Sequence, residues 1–136
     1  MHKSVLIALG EVGYLEKQSP RQLYEKHTNP GDENYTKYAR ELDIHFCFYR
    51  GIKQGQPWCD VFVDWCFVKA YGVVAGRRLL CQPMLSKGAG CRYSYGYYDE
   101  QGLGRYRQEL AEKSACSRFS GIFHHRCTCN IQDLVQ

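Results

Sequence analysis

The strongest hydrophobic pattern in the chain lies in residues 58–71, WCDVFVDWCFVKAY. Its apolar side chains recur every three or four residues, while Asp60 and Asp64 occupy the other side of the same helical projection. Pro57 comes just before this stretch and Gly72 just after it, which are the places where these residues start and stop helices. We therefore predict an amphipathic helix over 58–71, with Asp60 and Asp64 on a solvated face. The apolar positions are Trp58, Val61, Phe62, Trp65, Cys66 and Val68.

The pattern elsewhere is weaker and predicts shorter elements. Helical spacing of apolar residues over 5–15 predicts an amphipathic first helix rather than a signal peptide, because no small-residue cleavage site follows. The apolar face of this helix is predicted to hold Val5, Ala8, Leu9, Val12 and Leu15. Residues 35–43 predict a second short helix. Residues 18–34 are rich in Pro, Gly, Asn and charged side chains, and predict a loop. Residues 75–84 predict a further helix, whereas the glycines and tyrosines of 87–102 predict an irregular segment.

Length and composition indicate one folded domain. The chain has 136 residues, of which 44% are hydrophobic, enough for one core with little surplus for a second. The net charge of +4 comes from 18 basic and 14 acidic residues that form no dense basic stripe, so nucleic-acid binding is not indicated. No apolar stretch approaches the length of a membrane span. The 8 cysteines are irregularly spaced, unlike a disulfide scaffold or a paired zinc ribbon, and we expect reduced thiols.

Cys59 is the candidate reactive residue, because the pattern puts it in the first turn of the predicted helix. Backbone N–H groups without helical partners and the positive end of the helix dipole favour an anion there. Such a position favours the thiolate form of a cysteine, which is the form that attacks a carbonyl carbon. Helix position alone also fits a small buried hydrophobic residue. Cys66, two turns later and on nearly the same face, is predicted to be a packing residue.

Three motifs follow one another in the order ALGEVGYLEK, NYTKYARELD and GQPWCDVFVDWCFVKAYG. Together they resemble the start of the CHAP family, the cysteine, histidine-dependent amidohydrolases and peptidases. The likeness is greatest to the wall hydrolases carried by phages and mobile elements of Gram-positive bacteria. The resemblance covers residues up to about 100, including QP and GAGCRYS, and the tryptophan-cysteine block is its most specific part.

This resemblance implies an α+β, papain-like fold. N-terminal helices, with the nucleophile Cys59 at a helix start, would pack against a small antiparallel sheet, whole or incomplete. The implied activity is hydrolysis of an amide bond of peptidoglycan, with a histidine as the base and a polar residue that orients it. This chemistry requires no cofactor. Peptidoglycan peptide would be the partner, and the protein would stay in the cytoplasm until released to act at the bacterial cell wall.

The resemblance ends after Gly102. The chain therefore divides into a CHAP-like helical part, 1–102, and an atypical segment of the same domain, 103–136. The family's P-x-x-G-D and H-x-G-I-V patterns are absent from that segment. His124 and His125 are the candidate bases, unless the base has been lost through a truncation or an altered reading frame. The third catalytic residue and the oligomeric state are not assigned by the sequence.

Trp58, Tyr35 and Tyr38 are the candidate substrate-binding residues, and packing is the alternative for each. Two other functions stay open. A CHAP-like remnant without its base would bind wall peptide and leave it uncut. Residues 124–129 bring 2 histidines and 2 cysteines together, which allows a small metal-binding domain, although tetrahedral zinc sites usually draw on two separated pairs of ligands.

Overall fold

The computed structural model describes residues 1–82, 91–100 and 102. Within them α3 lies at the centre, because the other helical elements all pack against it. None of the described helices is long and apolar enough to cross a membrane. The helices are α1 (Lys3–Gly10), α2 (Lys37–Arg40), α3 (Cys59–Leu79) and α4 (Cys91–Glu100), and a π-helical turn, Glu41–His45, continues from α2.

The described residues contain no β-sheet, and the prediction of an α+β, papain-like fold is wrong. Extended pairing in this part is limited to isolated bridges that join Lys17 to Pro30 and to Tyr35. A longer ladder does not grow from these bridges, because residues 18–34 carry the prolines, glycine and asparagines of a loop. The observed fold of this part is helical. The segment 103–136 lies outside the described residues.

α3 begins where the sequence predicts, with Trp58 just before the first turn. The Phe62 amide donates a hydrogen bond to the Trp58 carbonyl at 2.7 Å. Gly72 interrupts the helix with φ 80° and ψ 168°, a conformation that is nearly restricted to glycine. Helical turns resume after it and continue to Leu79. The predicted stop at Gly72 is therefore a break inside a longer element.

Tyr38 stands in the middle of the hydrophobic core, although it belongs to a helix of 4 residues. Its side chain is 0% exposed, and its ring centroid lies 4.8 Å from those of Tyr14 and Trp65. The Thr36 hydroxyl caps α2 by accepting a hydrogen bond from the Ala39 amide at 3.2 Å. So short a helix is not stable alone, and its packing against α3 holds it in place.

α1 buries a different face from the one that the sequence predicts. Ser4 is buried, while Val5 and Leu15 are exposed. The helix ends at Gly10, so the residues after it leave helical spacing. Tyr14 therefore enters the core in the place expected for Leu15.

α4 is a helix where the sequence predicts an irregular segment. Gly96 inside it lowers helix stability by about 1 kcal/mol relative to alanine. Contacts with the rest of the fold offset this cost. The Ser94 hydroxyl donates to the Asp60 carboxylate at 2.7 Å, and the Tyr98 hydroxyl donates to the Leu80 carbonyl at 2.8 Å.

The loop over residues 18–34 is closed at its base by Lys17, whose side chain is fully buried. The Lys17 ammonium donates to the carbonyl oxygens of Lys26 at 3.1 Å and Thr28 at 2.7 Å. Its backbone amide donates to the Tyr35 carbonyl at 2.9 Å. Burial lowers the pKa of Lys17. The Lys17 ammonium thus binds two loop carbonyl oxygens in the way that a metal cation could.

Candidate nucleophile site at the start of α3

Cys59 is the first residue of α3 and is 8% exposed. Trp58, the residue before it, makes no side-chain hydrogen bond to the first helical turn. The Trp58 indole donates to the Glu16 carboxylate instead. An indole N–H can only donate, so Trp58 cannot cap the amides of that turn, and the positive end of the helix dipole lies beside the cysteine. This arrangement suits a cysteine that works as an anion.

The carboxylate of Glu16 joins the start of α3 to the loop over residues 18–34. One of its oxygens accepts a hydrogen bond from Trp58 Nε1 at 2.6 Å, and the other accepts one from the Asn34 amide at 3.3 Å. The Glu16 carbonyl also accepts a bond from the Gly31 amide at 3.1 Å. Both the helix start and the end of the loop are therefore fixed to one residue.

The same arrangement recurs two turns further along α3. Trp65 Nε1 donates to the Glu41 carboxylate at 2.9 Å, and Glu41 also pairs with Lys69 at 3.1 Å. Cys66 follows Trp65 as Cys59 follows Trp58. Two tryptophan-cysteine pairs therefore occur here, one at the start of α3 and one inside it, each with its indole held by a glutamate from an earlier segment.

The two cysteines differ in their surroundings. Cys66 is 3% exposed inside the helix, and burial followed by the charge of Glu11 raises the pKa of its thiol to about 12. A thiol with so high a pKa stays protonated and unreactive near neutral pH. The prediction that Cys66 is a packing residue is confirmed. Cys59 is instead the first residue of α3, at the positive end of the helix dipole.

The three candidate substrate-binding residues differ in how far their side chains are buried. Trp58 is 3% exposed and Tyr38 is fully buried in the core, so the packing alternative describes both side chains. Neither offers a surface to a ligand in this structure, because the aromatic core covers them. Tyr35 is only partly buried, and its ring lies beside Gly55, where an added Cβ would meet Tyr35 Cζ at 3.8 Å. Tyr35 therefore stays available beside the segment that leads into α3.

That segment, residues 53–57, is fixed by side chains rather than by regular structure. The Asp43 carboxylate accepts hydrogen bonds from the amides of Lys53 at 2.9 Å and Gln54 at 3.0 Å. Gln54 Oε1 accepts a bond from the Thr36 amide at 3.2 Å. These contacts hold the approach to Cys59 against the start of α2.

The prediction that Asp60 and Asp64 form a solvated face is wrong. Asp64 is 1% exposed and accepts hydrogen bonds from the Tyr49 hydroxyl and from Gln82 Nε2, the latter at 3.1 Å. Burial, followed by the charge of Asp64, raises the pKa of Tyr49. Asp60 is half-buried and accepts a bond from Ser94. The sequence did contain a signal for Asp64, because its spacing places it on the face of α3 between the buried residues Val61 and Val68.

The candidate bases His124 and His125 lie outside the described residues, as does the histidine-cysteine cluster of 124–129. The histidines of residues 1–82 are His2, His27 and His45, and each is exposed. The described ranges contain no group of three or more His, Cys, Asp or Glu side chains that could hold a metal ion.

Comparison of the chain with protein-family models, with curated proteins and with solved structures finds no match in any of the three. The functional assignment therefore depends on the residues around Cys59 and on the order of the motifs that contain them. Chemically, the described site offers a thiol at a helix start, a fixed indole before it and a fixed segment leading to it. Such a site can present a nucleophile to a carbonyl group.

Proposed function

We propose that the protein is a cysteine-dependent hydrolase that cleaves an amide bond in the peptide of bacterial peptidoglycan. The observation that carries this proposal is the position of Cys59 as the first residue of α3. The ordered motifs that resemble the CHAP family supply the substrate class. The proposal concerns the nucleophile and its chemistry, and it does not depend on a papain-like sheet.

The reaction would begin with attack of the Cys59 thiolate on the amide carbonyl carbon. Backbone N–H groups at the start of α3 would stabilise the negative charge that develops on the carbonyl oxygen. The C–N bond then breaks, the amine leaves with a proton from the base, and a thioester remains on Cys59. Water hydrolyses the thioester, which releases a carboxylate and restores the thiol. His124 or His125 is the base in this proposal, and no cofactor takes part.

The proposed place of action is the bacterial cell wall. We propose that the protein is made in the cytoplasm and reaches peptidoglycan after release, as wall hydrolases of phages and mobile elements do.

Incubation of the purified protein with Gram-positive sacculi tests this function. Mass spectrometry of the soluble fraction should find wall peptides with new chain ends, and those ends identify the amide that is cut. Sedimentation of the protein with sacculi in the absence of any released peptide would contradict hydrolysis and support the wall-binding alternative. A folded protein that neither sediments with sacculi nor releases peptide would contradict both functions.

A further inference from the structure

We propose that Glu16 is a positioning residue for Cys59, acting through the indole of Trp58. This inference rests on the proposed function, because it assigns Cys59 as the nucleophile whose orientation is controlled. Glu16 lies 42 residues before Trp58 in the chain, yet its carboxylate oxygen is 2.6 Å from the indole nitrogen.

The short distance indicates a strong, charge-assisted hydrogen bond. Trp58 is 3% exposed, so solvent does not compete for its N–H group. The Trp58 ring also packs against Tyr38 at 5.6 Å between centroids and against Phe62 at 6.1 Å. The indole therefore packs against two aromatic rings, and Glu16 holds its polar edge. The backbone of Trp58 continues directly into Cys59, so fixing the indole also fixes the first turn of α3.

The second oxygen of Glu16 extends this control to the loop. It accepts the Asn34 amide at 3.3 Å, and the neighbouring Asn34 carbonyl accepts the Gly55 amide at 3.2 Å. Glu16 thus holds both the residue before the nucleophile and the chain that supports the approach to it. A residue that only filled space would not need two oxygens directed at these two donors.

Glu41, in the π-helical turn, provides a matched control because it holds the other tryptophan of the pattern. It holds the Trp65 indole at 2.9 Å, and Trp65 precedes Cys66. Cys66 is a buried packing residue in the middle of α3, so its orientation has no catalytic consequence. A role limited to stability predicts similar results for changes at Glu16 and Glu41. A positioning role predicts that only changes at Glu16 alter Cys59.

The test measures how fast iodoacetamide modifies Cys59 in the folded full-length protein, by mass spectrometry of the peptide that contains it. Glu16→Gln and Glu16→Ala both remove the negative charge, but only glutamine keeps an oxygen that can accept the indole N–H. We expect iodoacetamide to modify Cys59 about tenfold more slowly in Glu16→Ala than in Glu16→Gln. We expect the rates of Cys59 modification in Glu41→Ala and Glu41→Gln to agree within about twofold.

The inference is overturned if iodoacetamide modifies Cys59 at the same rate in both Glu16 variants. It is also overturned if this rate differs between the two Glu41 variants by as much as between the two Glu16 variants. If Glu16→Ala does not fold, Trp58→Phe removes the same hydrogen bond from the other side, and it should slow the modification of Cys59 to a similar degree. An unchanged rate in Trp58→Phe also overturns the inference.

This readout is separate from the proposed function, because alkylation does not require wall hydrolysis. Where sacculi are hydrolysed, Glu16→Ala should lower kcat and leave KM close to that of Glu16→Gln, since the change affects the nucleophile and not substrate binding. A protein that hydrolyses no sacculi but shows the alkylation pattern keeps the positioning role and loses the proposed function. A protein that hydrolyses sacculi without the alkylation pattern keeps the proposed function and loses the positioning role.

Discussion

The Tyr49→Phe substitution removes one hydroxyl group from the buried contact between Tyr49 and Asp64. The two residues are 8% and 1% exposed, so water cannot readily replace the lost donor. Asp64 keeps the hydrogen bond from Gln82 Nε2 at 3.1 Å, but it loses the one from the tyrosine hydroxyl. A hydrogen bond to a charged group contributes about 1.5–3 kcal/mol. We therefore expect the free energy of unfolding to fall by about 2 kcal/mol.

Urea unfolding followed by tryptophan fluorescence measures this change, because both tryptophans of the chain lie in the core. Tyr24→Phe is the matched control, since Tyr24 is 58% exposed. We expect its free energy of unfolding to stay within about 0.5 kcal/mol of the parent. A loss for Tyr49→Phe no larger than that of the control would refute the reasoning, because Asp64 would then not depend on the hydroxyl group for its burial.

Three further predictions concern the stability of the fold, each measured by chemical or thermal unfolding. Lys17→Met removes the buried donor to two loop carbonyls and should lower the free energy of unfolding by about 2–4 kcal/mol. Lys26→Met, whose ammonium bonds lie at the surface, should cost about 1 kcal/mol or less, and equal losses would contradict this prediction. Gly72→Ala should cost about 1–3 kcal/mol, because its φ and ψ are poorly accessible to alanine. Gly96→Ala, inside α4, should instead stabilise by about 1 kcal/mol, and the same sign for both glycines would contradict the argument. Burial raises the pKa of Tyr14 to about 12, so the unfolded chain loses this proton first and stability falls as pH rises above the ordinary tyrosine value. Tyr14→Phe should make that fall shallower by about 1.4 kcal/mol per pH unit, and an unchanged pH dependence would contradict it.

The sequence predicts the start of α3 well, because its apolar spacing is strong and Pro57 marks its beginning, but Gly72 is a break inside the element and not its end. The packing role of Cys66 follows from the same spacing. Asp64 shows the limit of assigning side chains by chemical type. An aspartate is usually solvated, yet helical spacing places this one on a buried face, where Tyr49 and Gln82 satisfy it.

Other features depend on contacts that no local pattern contains. The bond between Glu16 and Trp58 joins residues 42 positions apart, and neither residue signals the other in the sequence. α4 forms through contacts of Ser94 and Tyr98 with residues of α3 and the turn after it, although its glycine and tyrosines disfavour a helix. The predicted sheet fails for the described residues because it was inferred from a family resemblance and not from strand periodicity.

Release of peptide from Gram-positive sacculi by the Cys59→Ala protein tests most directly whether Cys59 is the nucleophile. Cys66→Ala is the matched control, because it removes the second cysteine of the repeated tryptophan-cysteine pattern from the same helix. We predict that the parent protein and folded Cys66→Ala release wall peptides with the same new chain ends, while folded Cys59→Ala releases none. Release by Cys59→Ala at the rate of the parent protein would contradict the assignment of Cys59 as the nucleophile.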